Sequence, residues 1–199
     1  MTEPVVPAPA NASGARGRIV DAAYDLFSRR GIRAVGINAI VTESGVAKMT
    51  LYRNFASKDE LVLEFLRVRE QRWTRDWLQD EVARRAETPG DRLLAIFDVF
   101  HDWFQLETFE GCSFVNVLLE ITEGESAVRR ASVEHLATIR SFVAGLAREF
   151  GVDDPDAFSR QWHILMKGSI VSAGEGDREA ARRARRLGEL LLADVAVGR

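Results

Sequence analysis

Apolar residues along the chain recur at a spacing of three to four positions, which is the period of an α-helix with one buried face. The first such stripe consists of Ile19, Ala22, Ala23, Leu26 and Phe27. Gly31 follows this stripe as a helix stop signal. Short helices are predicted at 38–43 and 47–54, separated by Ser44-Gly45-Val46. Because no segment alternates convincingly like a strand, the pattern predicts an all-α protein with about nine helices.

The boundaries of the later helices are indicated by capping residues and glycines. Ser57 and Glu60 have the capping-box spacing, at the start of a helix that is predicted to run toward Ala86. Thr88 and Asp154 are predicted N-caps, and each precedes a proline, which suits the first turn of a helix. The remaining predicted boundaries are Gly111 and Gly124 around a short helix, 125–150 for a long one and Asp177 for the start of the last.

Composition places the chain among globular proteins, and charge divides it into two parts. Hydrophobic residues make up 46% and charged residues 29% of the 199 residues. Residues 1–15 are rich in Pro and Ala and are predicted to form a disordered N-terminal arm. The net charge is −3, yet residues 13–72 hold 11 Lys and Arg against seven Asp and Glu. This basic segment has the sign needed to approach phosphates.

Several classes of protein are disfavoured by what the sequence lacks. No stretch approaches the roughly 20 apolar residues that span a bilayer, so we expect a cytoplasmic protein with no membrane partner. Cys112 is the single cysteine, so an intramolecular disulfide is excluded. We expect its side chain to be a small buried hydrophobic group. His101, His135 and His163 are scattered along the chain and are expected to lack close carboxylate or cysteine companions, so no metal is predicted. No phosphate loop, nucleophile-base pair or cofactor fingerprint is present, so neither an enzyme nor a cofactor is expected.

The segment 37–55 has the features of a helix-turn-helix: two short helices and a tight turn at Gly45. The apolar positions that lock the two helices together are Ile40, Val41, Val46 and Leu51. Lys48, Met49 and Thr50 lie at the N-terminal end of the second helix, where side chains reach base edges. By itself, such a pair of helices also occurs in helical proteins that do not bind DNA.

Three further side chains are placed to contact phosphates. Tyr52 and Arg53 lie later in the second helix, and Lys58 lies in the first turn of the helix that follows. The free N–H groups of that turn also favour an anion. Contacts of this kind set the register of a protein on DNA and carry no base preference.

The segment from Gly45 to Leu61, GVAKMTLYRNFASKDEL, closely resembles the DNA-binding signature of the TetR family of bacterial transcriptional regulators. The resemblance extends over about 16–66, a third of the chain. It implies an all-helical homodimer with a helix-turn-helix head, here 16–60, and an effector-binding and dimerisation domain, here 61–199. It further implies a repressor that a small effector releases from a near-palindromic double-stranded DNA operator.

Carried onto this chain, the resemblance makes Lys48, Met49 and Thr50 the groove-facing residues and Thr50, Tyr52 and Lys58 the backbone contacts. Gly36 stands where the family commonly has Ser or Thr, so Asn38 is expected to supply the missing polar contact. Met49 stands where small residues are frequent in the family. The operator sequences of relatives are therefore not expected to apply to this chain. The predicted DNA-binding residues are Gly36, Asn38, Ala47, Lys48, Met49, Thr50, Tyr52, Arg53 and Lys58.

Large aromatic residues are concentrated in the predicted C-terminal domain. In a sensor they could line a cavity for an apolar or aromatic effector. The predicted effector-binding residues are Trp73, Trp77, Phe97, Phe100, Phe104, Phe114, Asn116, Glu120, Trp162 and Met166. Aromatic side chains at helical spacing are equally what a core requires. In this family the last two helices form the dimer interface, so the predicted interface residues are Phe158, Trp162, Leu165, Ser169, Ala184, Leu187 and Leu191.

Three alternatives stay open at this point. A regulator without a sensor would use its aromatic residues for the core alone. A helical scaffold that has lost DNA binding is disfavoured by the intact Lys48, Thr50, Tyr52 and Lys58. An enzyme that uses the C-terminal domain has no motif to support it.

Overall fold

The computed structural model describes residues 14–121 and 126–197, and no strand occurs in these two ranges. The helices are α1 (Ala15–Arg30), α2 (Ile37–Ser44), α3 (Lys48–Asn54), α4 (Lys58–Arg69), α5 (Asp80–Arg85), α6 (Pro89–Phe104), α7 (Ser113–Glu120), α8 (Ala127–Phe150), α9 (Pro155–Gly174) and α10 (Ala180–Val197). A π-helical segment, Glu70–Gln79, joins α4 to α5 without a break. With 58–85 taken as one continuous helix, the described residues contain nine helices, which confirms the all-α prediction. None of these helices is long and apolar enough to cross a membrane.

The predicted helix caps are present. Ser57 Oγ accepts the Glu60 N–H at 3.1 Å, and Glu60 Oε2 reaches back to accept the Ala56 N–H at 2.6 Å. The hydroxyl of Thr88 and the carboxylate of Asp154 each accept a backbone N–H three residues along, at 3.2 and 3.0 Å. These bonds satisfy donors that the first helical turn leaves free, and so they fix where α4, α6 and α9 begin.

Some predicted boundaries differ from the structure. Ala15, predicted to belong to the N-terminal arm, is the first residue of α1, whereas residues 1–13 of that arm lie outside the described residues, as do Gly124 and Glu125. The last helix begins at Ala180, because the Asp177 carboxylate accepts the Glu179 N–H at 3.1 Å in a preceding turn. The π-helical segment was not predicted, because apolar spacing does not distinguish i→i+4 from i→i+5 hydrogen bonds.

The described residues form two compact units. The head unit contains 14–73, 113–121 and 126–135, and the C-terminal unit contains 74–112 and 136–197. The head unit thus includes α7 and the beginning of α8 beside the four helices near the N-terminus. The division at residue 60 between a DNA-binding and an effector-binding domain stays a prediction about function.

In the head unit, α1 packs against α2, α3 and α4. The side chains of Ile19, Ile40, Leu51 and Leu61, one from each of these helices, are completely buried. Phe65 on α4 adds an edge-to-face contact with Phe27 and another with Tyr24, at ring-centroid distances of 5.5 and 5.7 Å. These contacts make α1 and α4 a platform that holds the α2–α3 pair.

The core of the C-terminal unit is rich in aromatic rings. Trp103 lies at its centre, with ring centroids at 6.3 Å from Trp77, 5.7 Å from Phe100, 5.6 Å from Phe104 and 4.9 Å from Phe109. The four rings from Trp77, Phe100, Trp103 and Phe104 are almost fully buried. Large rings that bury this much area dominate the stability of a core.

His163 on α9 is buried in the same unit. Burial lowers the pKa of its imidazole from 6.5 to about 3, and the positive charges of Lys167 and Arg140 act in the same direction. The folded protein therefore keeps His163 neutral at pH values at which the unfolded chain binds a proton. Above pH 6.5 His163 does not lower the free energy of unfolding. Below that pH the free energy of unfolding decreases progressively as the pH falls toward 3.

We expect His163 to make the free energy of unfolding about 2 kcal/mol lower at pH 5 than at pH 7. Denaturant titrations at both pH values measure this difference, and His163→Gln is expected to reduce it by that amount. His101→Gln is the matched control, because His101 lies only half-buried on α6. An identical pH dependence in wild type and His163→Gln would contradict the prediction.

Candidate nucleic-acid interface

The turn between α2 and α3 requires a glycine. Gly45 has φ +64°, the left-handed region that side chains disfavour. Ser44 Oγ donates to the Ile40 carbonyl at 2.6 Å and so closes the end of α2. Arg18 on α1 also donates from Nε to the Ser44 carbonyl at 3.4 Å. The angle between the two short helices is therefore fixed by local bonds and by α1.

Helix α3 has one buried and one exposed face. Leu51 and Phe55 are buried beneath it, whereas Met49 is 66% exposed and Tyr52 is 43% exposed. Lys48, at the start of the helix, is exposed as well. The exposed face of α3 therefore presents a cation next to two large side chains with apolar surface.

Two arginines on α1 support this arrangement, and the sequence gives no signal for either. Arg18 holds the end of α2, as described above. Arg16 places its guanidinium 4.9 Å from the centre of the Phe55 ring and donates to Glu64 on α4 at 3.1 Å. Because the partners of Arg16 lie 39 and 48 residues along the chain, no local pattern could reveal the contact.

A second network joins α1 to the point where α4 becomes π-helical. Arg69 is buried and donates to the Tyr24 hydroxyl at 3.0 Å. Arg72 donates to Asp21 at 3.1 Å, and its guanidinium lies 5.0 Å from the centre of the Tyr24 ring. Loss of the acceptor of a buried arginine lowers the free energy of unfolding by several kcal/mol. The network therefore fixes α4 on α1.

Lys58 lies half-buried in the first turn of α4, directly after the Ser57 cap. Burial lowers the pKa of its ammonium group, and the carboxylates of Glu120 and Asp59 act in the opposite direction. A cation at a helix N-terminus reinforces the positive end of the helix dipole, which is the arrangement that attracts a phosphate.

The predicted DNA-binding residues lie on α2, α3, their N-caps and the first turn of α4. Those with exposed side chains or backbone are Gly36, Asn38, Ala47, Lys48, Met49, Tyr52 and Arg53, and the half-buried ones are Thr50 and Lys58. Gly36 is the N-cap of α2 and makes no side-chain capping bond there. The structure brings these residues together in the head unit, and their contacts with DNA stay predictions.

Residues 19–65 match the family described as bacterial regulatory proteins, tetR family. Residues 89–187 match the family described as tetracyclin repressor-like, C-terminal domain. The chain belongs to the TetR family. In this TetR-family chain the first match contains the whole helix-turn-helix, and the second begins with α6 and ends within α10. The chain is therefore a DNA-binding transcriptional regulator.

Individual TetR-family relatives agree with this conclusion. The transcriptional repressor KstR2 of Mycobacterium tuberculosis is 33% identical over 85 residues, which cover 41% of this chain and only 40% of KstR2. The uncharacterised regulator Rv1255c of the same organism is 29% identical over 172 residues, or 85% of this chain and 80% of that protein. The crystal structure of SCO4454, a TetR-family transcriptional regulator from Streptomyces coelicolor, has a TM-score of 0.81 and 27% identity, covering 91% of this chain and 89% of that one.

The predicted effector-binding residues fall in both units. In the C-terminal unit Trp77, Phe97, Phe100, Phe104, Trp162 and Met166 are buried. In the head unit Trp73 and Phe114 are buried and Asn116 is exposed. Glu120 is half-buried, and its carboxylate accepts the Arg33 N–H at 2.6 Å. The aromatic members contribute to cores, and their contact with an effector stays a prediction.

The predicted dimer residues separate into an inward and an outward group. Phe158 and Trp162 are buried inside the protomer, with their rings stacked at 5.3 Å, so they leave almost no area for a second copy. Leu165, Ser169, Ala184 and Leu187 line a groove of about 280 Å³ between α9 and α10. Leu191 is half-buried on α10. The sequence analysis missed three exposed apolar side chains of the same two helices: Ile164, which also lines the groove, Val171 and Leu190.

The histidines and the cysteine also have defined places. His135 Nδ1 lies 3.5 Å from Glu70 Oε2, so the expectation that no histidine has a close carboxylate is wrong for this one. The carboxylate comes from a distant part of the chain and could not be seen in sequence. Cys112 is half-buried rather than fully buried. Within the two described ranges no group of three or more His, Cys, Asp and Glu is arranged to hold a metal ion.

Proposed function

We propose that this TetR-family regulator is a repressor that binds a near-palindromic operator as a homodimer and leaves it when a small apolar or aromatic effector binds. Each protomer places Ala47 to Asn54 in one major groove. The observation that carries the proposal is the exposed face of α3, where Lys48, Met49 and Tyr52 stand in water above a buried Leu51. The similar protein KstR2 is a transcriptional repressor, which supports repression here.

The chemistry of this face suits base reading and backbone positioning. The Lys48 ammonium can donate to guanine O6 and N7, and the Met49 side chain can contact a thymine methyl group. The Tyr52 hydroxyl and the Lys58 ammonium are suited to phosphate oxygens. The two groups of residues therefore have separable effects, the first on specificity and the second on affinity.

A second copy of the chain is the occupant proposed for the α9–α10 face. Ile164, Val171, Leu187 and Leu190 are 50–65% exposed there, on neighbouring helices of one unit. Isolated apolar residues are common on protein surfaces, but these four lie on two helices that pack against each other, and together they are proposed to be one apolar patch. Two identical patches related by a two-fold axis cover each other, and the same axis relates two half-sites of an operator.

Release by an effector follows from linkage. If the effector binds the DNA-free form more tightly, DNA and effector weaken each other's binding by the same factor, about 5- to 150-fold for a coupling of 1–3 kcal/mol. The aromatic content of the C-terminal unit supports an apolar or aromatic compound. Equal effector affinity with and without operator would favour a regulator that has no sensor.

The predicted DNA contacts of α3 are tested by binding of the full chain to the intergenic DNA beside its own gene, at a series of salt concentrations. Lys48→Ala is expected to lose about tenfold of the discrimination between operator and unrelated DNA, because it removes a base contact. Tyr52→Phe is expected to weaken both kinds of binding by a similar, smaller factor, because it removes a phosphate contact. The salt dependence gives the number of phosphates neutralised, with a log-log slope of roughly −0.9 for each.

Arg148→Ala is the matched control, because Arg148 is an exposed cation on α8 outside the head unit. It is expected to bind like wild type. Failure of the wild-type protein to bind this DNA, or any sequence selected from a random pool, would favour the scaffold that has lost DNA binding.

A further inference from the structure

The end of α7 contacts the turn between α1 and α2 through one carboxylate. Glu120 Oε2 accepts the backbone N–H of Arg33 at 2.6 Å. Glu120 Oε1 lies against Gly31, where the Cβ of any other residue would overlap it. Gly31 also has φ +77°, so this turn needs a glycine for its backbone as well as for its space. The side chain of Glu120 thus fills a place that the turn leaves open for it.

The backbone that carries Glu120 is itself held in position. Arg129, at the start of α8, donates from Nη1 to the Ile121 carbonyl at 3.1 Å and to the Leu118 carbonyl at 3.4 Å. These carbonyls belong to the last turn of α7 and the residue after it, where a helix has no N–H donors of its own for them to pair with. The position of Glu120 therefore depends on the α7–α8 corner and not on a flexible side chain alone.

Helix α7 packs against α4 within the head unit, so Glu120 at the end of α7 lies on the element next to Lys58, a cation of the proposed DNA-binding surface. Burial lowers the pKa of Lys58, and the negative charge of Glu120 is the largest influence that opposes this effect. Glu120 therefore stabilises the charged ammonium of Lys58 and at the same time offsets its field. A phosphate that approaches Lys58 meets a cation that is already partly neutralised.

We propose that Glu120 is a positioning residue of the DNA head: it holds the α1–α2 turn through the Arg33 N–H and competes with DNA phosphate for Lys58. The inference rests on the proposed role of Lys58 in phosphate binding. The end of α7 thereby influences the DNA affinity of the head, because any shift of α7 moves this carboxylate relative to both partners.

Two substitutions in the full chain separate the two contacts. Glu120→Gln keeps an oxygen that can accept the Arg33 N–H but removes the charge, whereas Glu120→Ala removes both. We expect Glu120→Gln to bind duplex DNA about two- to fivefold more tightly than wild type at low salt. In a Lys58→Ala background the same change is expected to have no effect, because the competing pair no longer exists.

Hydrogen exchange provides a readout that does not depend on DNA. The Arg33 amide is expected to stay protected in Glu120→Gln and to exchange at least about tenfold faster in Glu120→Ala, since its acceptor is lost. Glu149→Gln, an identical change of charge at an exposed position of α8 in the C-terminal unit, is expected to alter neither measurement.

The outcomes distinguish this inference from the proposed function. If wild type binds DNA and Glu120→Gln binds no more tightly, the competition for Lys58 is refuted. The proposed DNA-binding role of α3 is then unaffected. Unchanged protection of the Arg33 amide in Glu120→Ala refutes the positioning contact. If wild type binds no DNA at all, the DNA-binding role fails and the competition fails with it, whatever the exchange rates show.

Discussion

A chain with both Leu187→Asp and Leu190→Asp is expected to run as a monomer and to bind operator DNA roughly 100-fold more weakly than wild type. The two leucines are among the most exposed apolar side chains on α10, and aspartates in their place would have to be buried without partners in a dimer. A monomer presents one head to the DNA and loses the gain in effective concentration that a tethered second head provides. Light scattering gives the mass, and a binding titration gives the affinity.

Val133→Asp is the control for this pair. Val133 is also an exposed apolar residue, but it belongs to α8 in the head unit and not to α9 or α10. The control is expected to keep the mass and the affinity of wild type. A dimer that persists in the double variant would show that another surface joins the protomers.

Phe100→Ala is expected to lower the free energy of unfolding by about 3–5 kcal/mol, the usual cost of deleting a packed phenylalanine and leaving a cavity. Phe100 is completely buried and its ring lies 5.7 Å from that of Trp103 and 5.8 Å from that of Phe104. Denaturant titration followed by circular dichroism measures the loss. A change of this size is a large part of the total stability of a domain.

This substitution also separates the two interpretations of the aromatic residues. A loss below about 1 kcal/mol is typical of a side chain that does not fill a tightly packed site. It would indicate that Phe100 borders space that an effector can occupy. Tyr52→Ala is the control for a large aromatic residue in water and is expected to change the stability by no more than about 0.5 kcal/mol.

Local signals in the sequence were sufficient for most of the fold. Ser57, Thr88 and Asp154 act on backbone groups within three residues of themselves, so a short pattern contains the whole interaction. The helix-turn-helix is equally local, because Gly45 and the apolar residues around it lie within one short segment. Exposure of Lys48, Met49 and Tyr52 follows from the same periodicity, since Leu51 must point inward.

Contacts between distant segments could not be predicted. The effector contact expected of Glu120 stays a prediction, and the bond from the Arg33 N–H, 87 residues earlier in the chain, to its carboxylate was not predicted. On α9, the stripe that contains Trp162 was assigned to the dimer, whereas Ile164 and Val171 are large apolar side chains of this helix that stay exposed. An amphipathic pattern shows that a helix has an apolar face, but not whether its own protomer or a second copy covers that face.

The π-helical segment Glu70–Gln79 also affects how the chain length can change during evolution. A π-helical turn uses i→i+5 hydrogen bonds, so it contains more residues than an α-helical turn. Deletion of one residue there can be absorbed by tightening to i→i+4 bonds, and the flanking α-helical turns then keep their faces. The same deletion in α6 would rotate every later side chain of that helix away from its core. The segment is therefore the part of the long helix over 58–85 that can best gain or lose a residue.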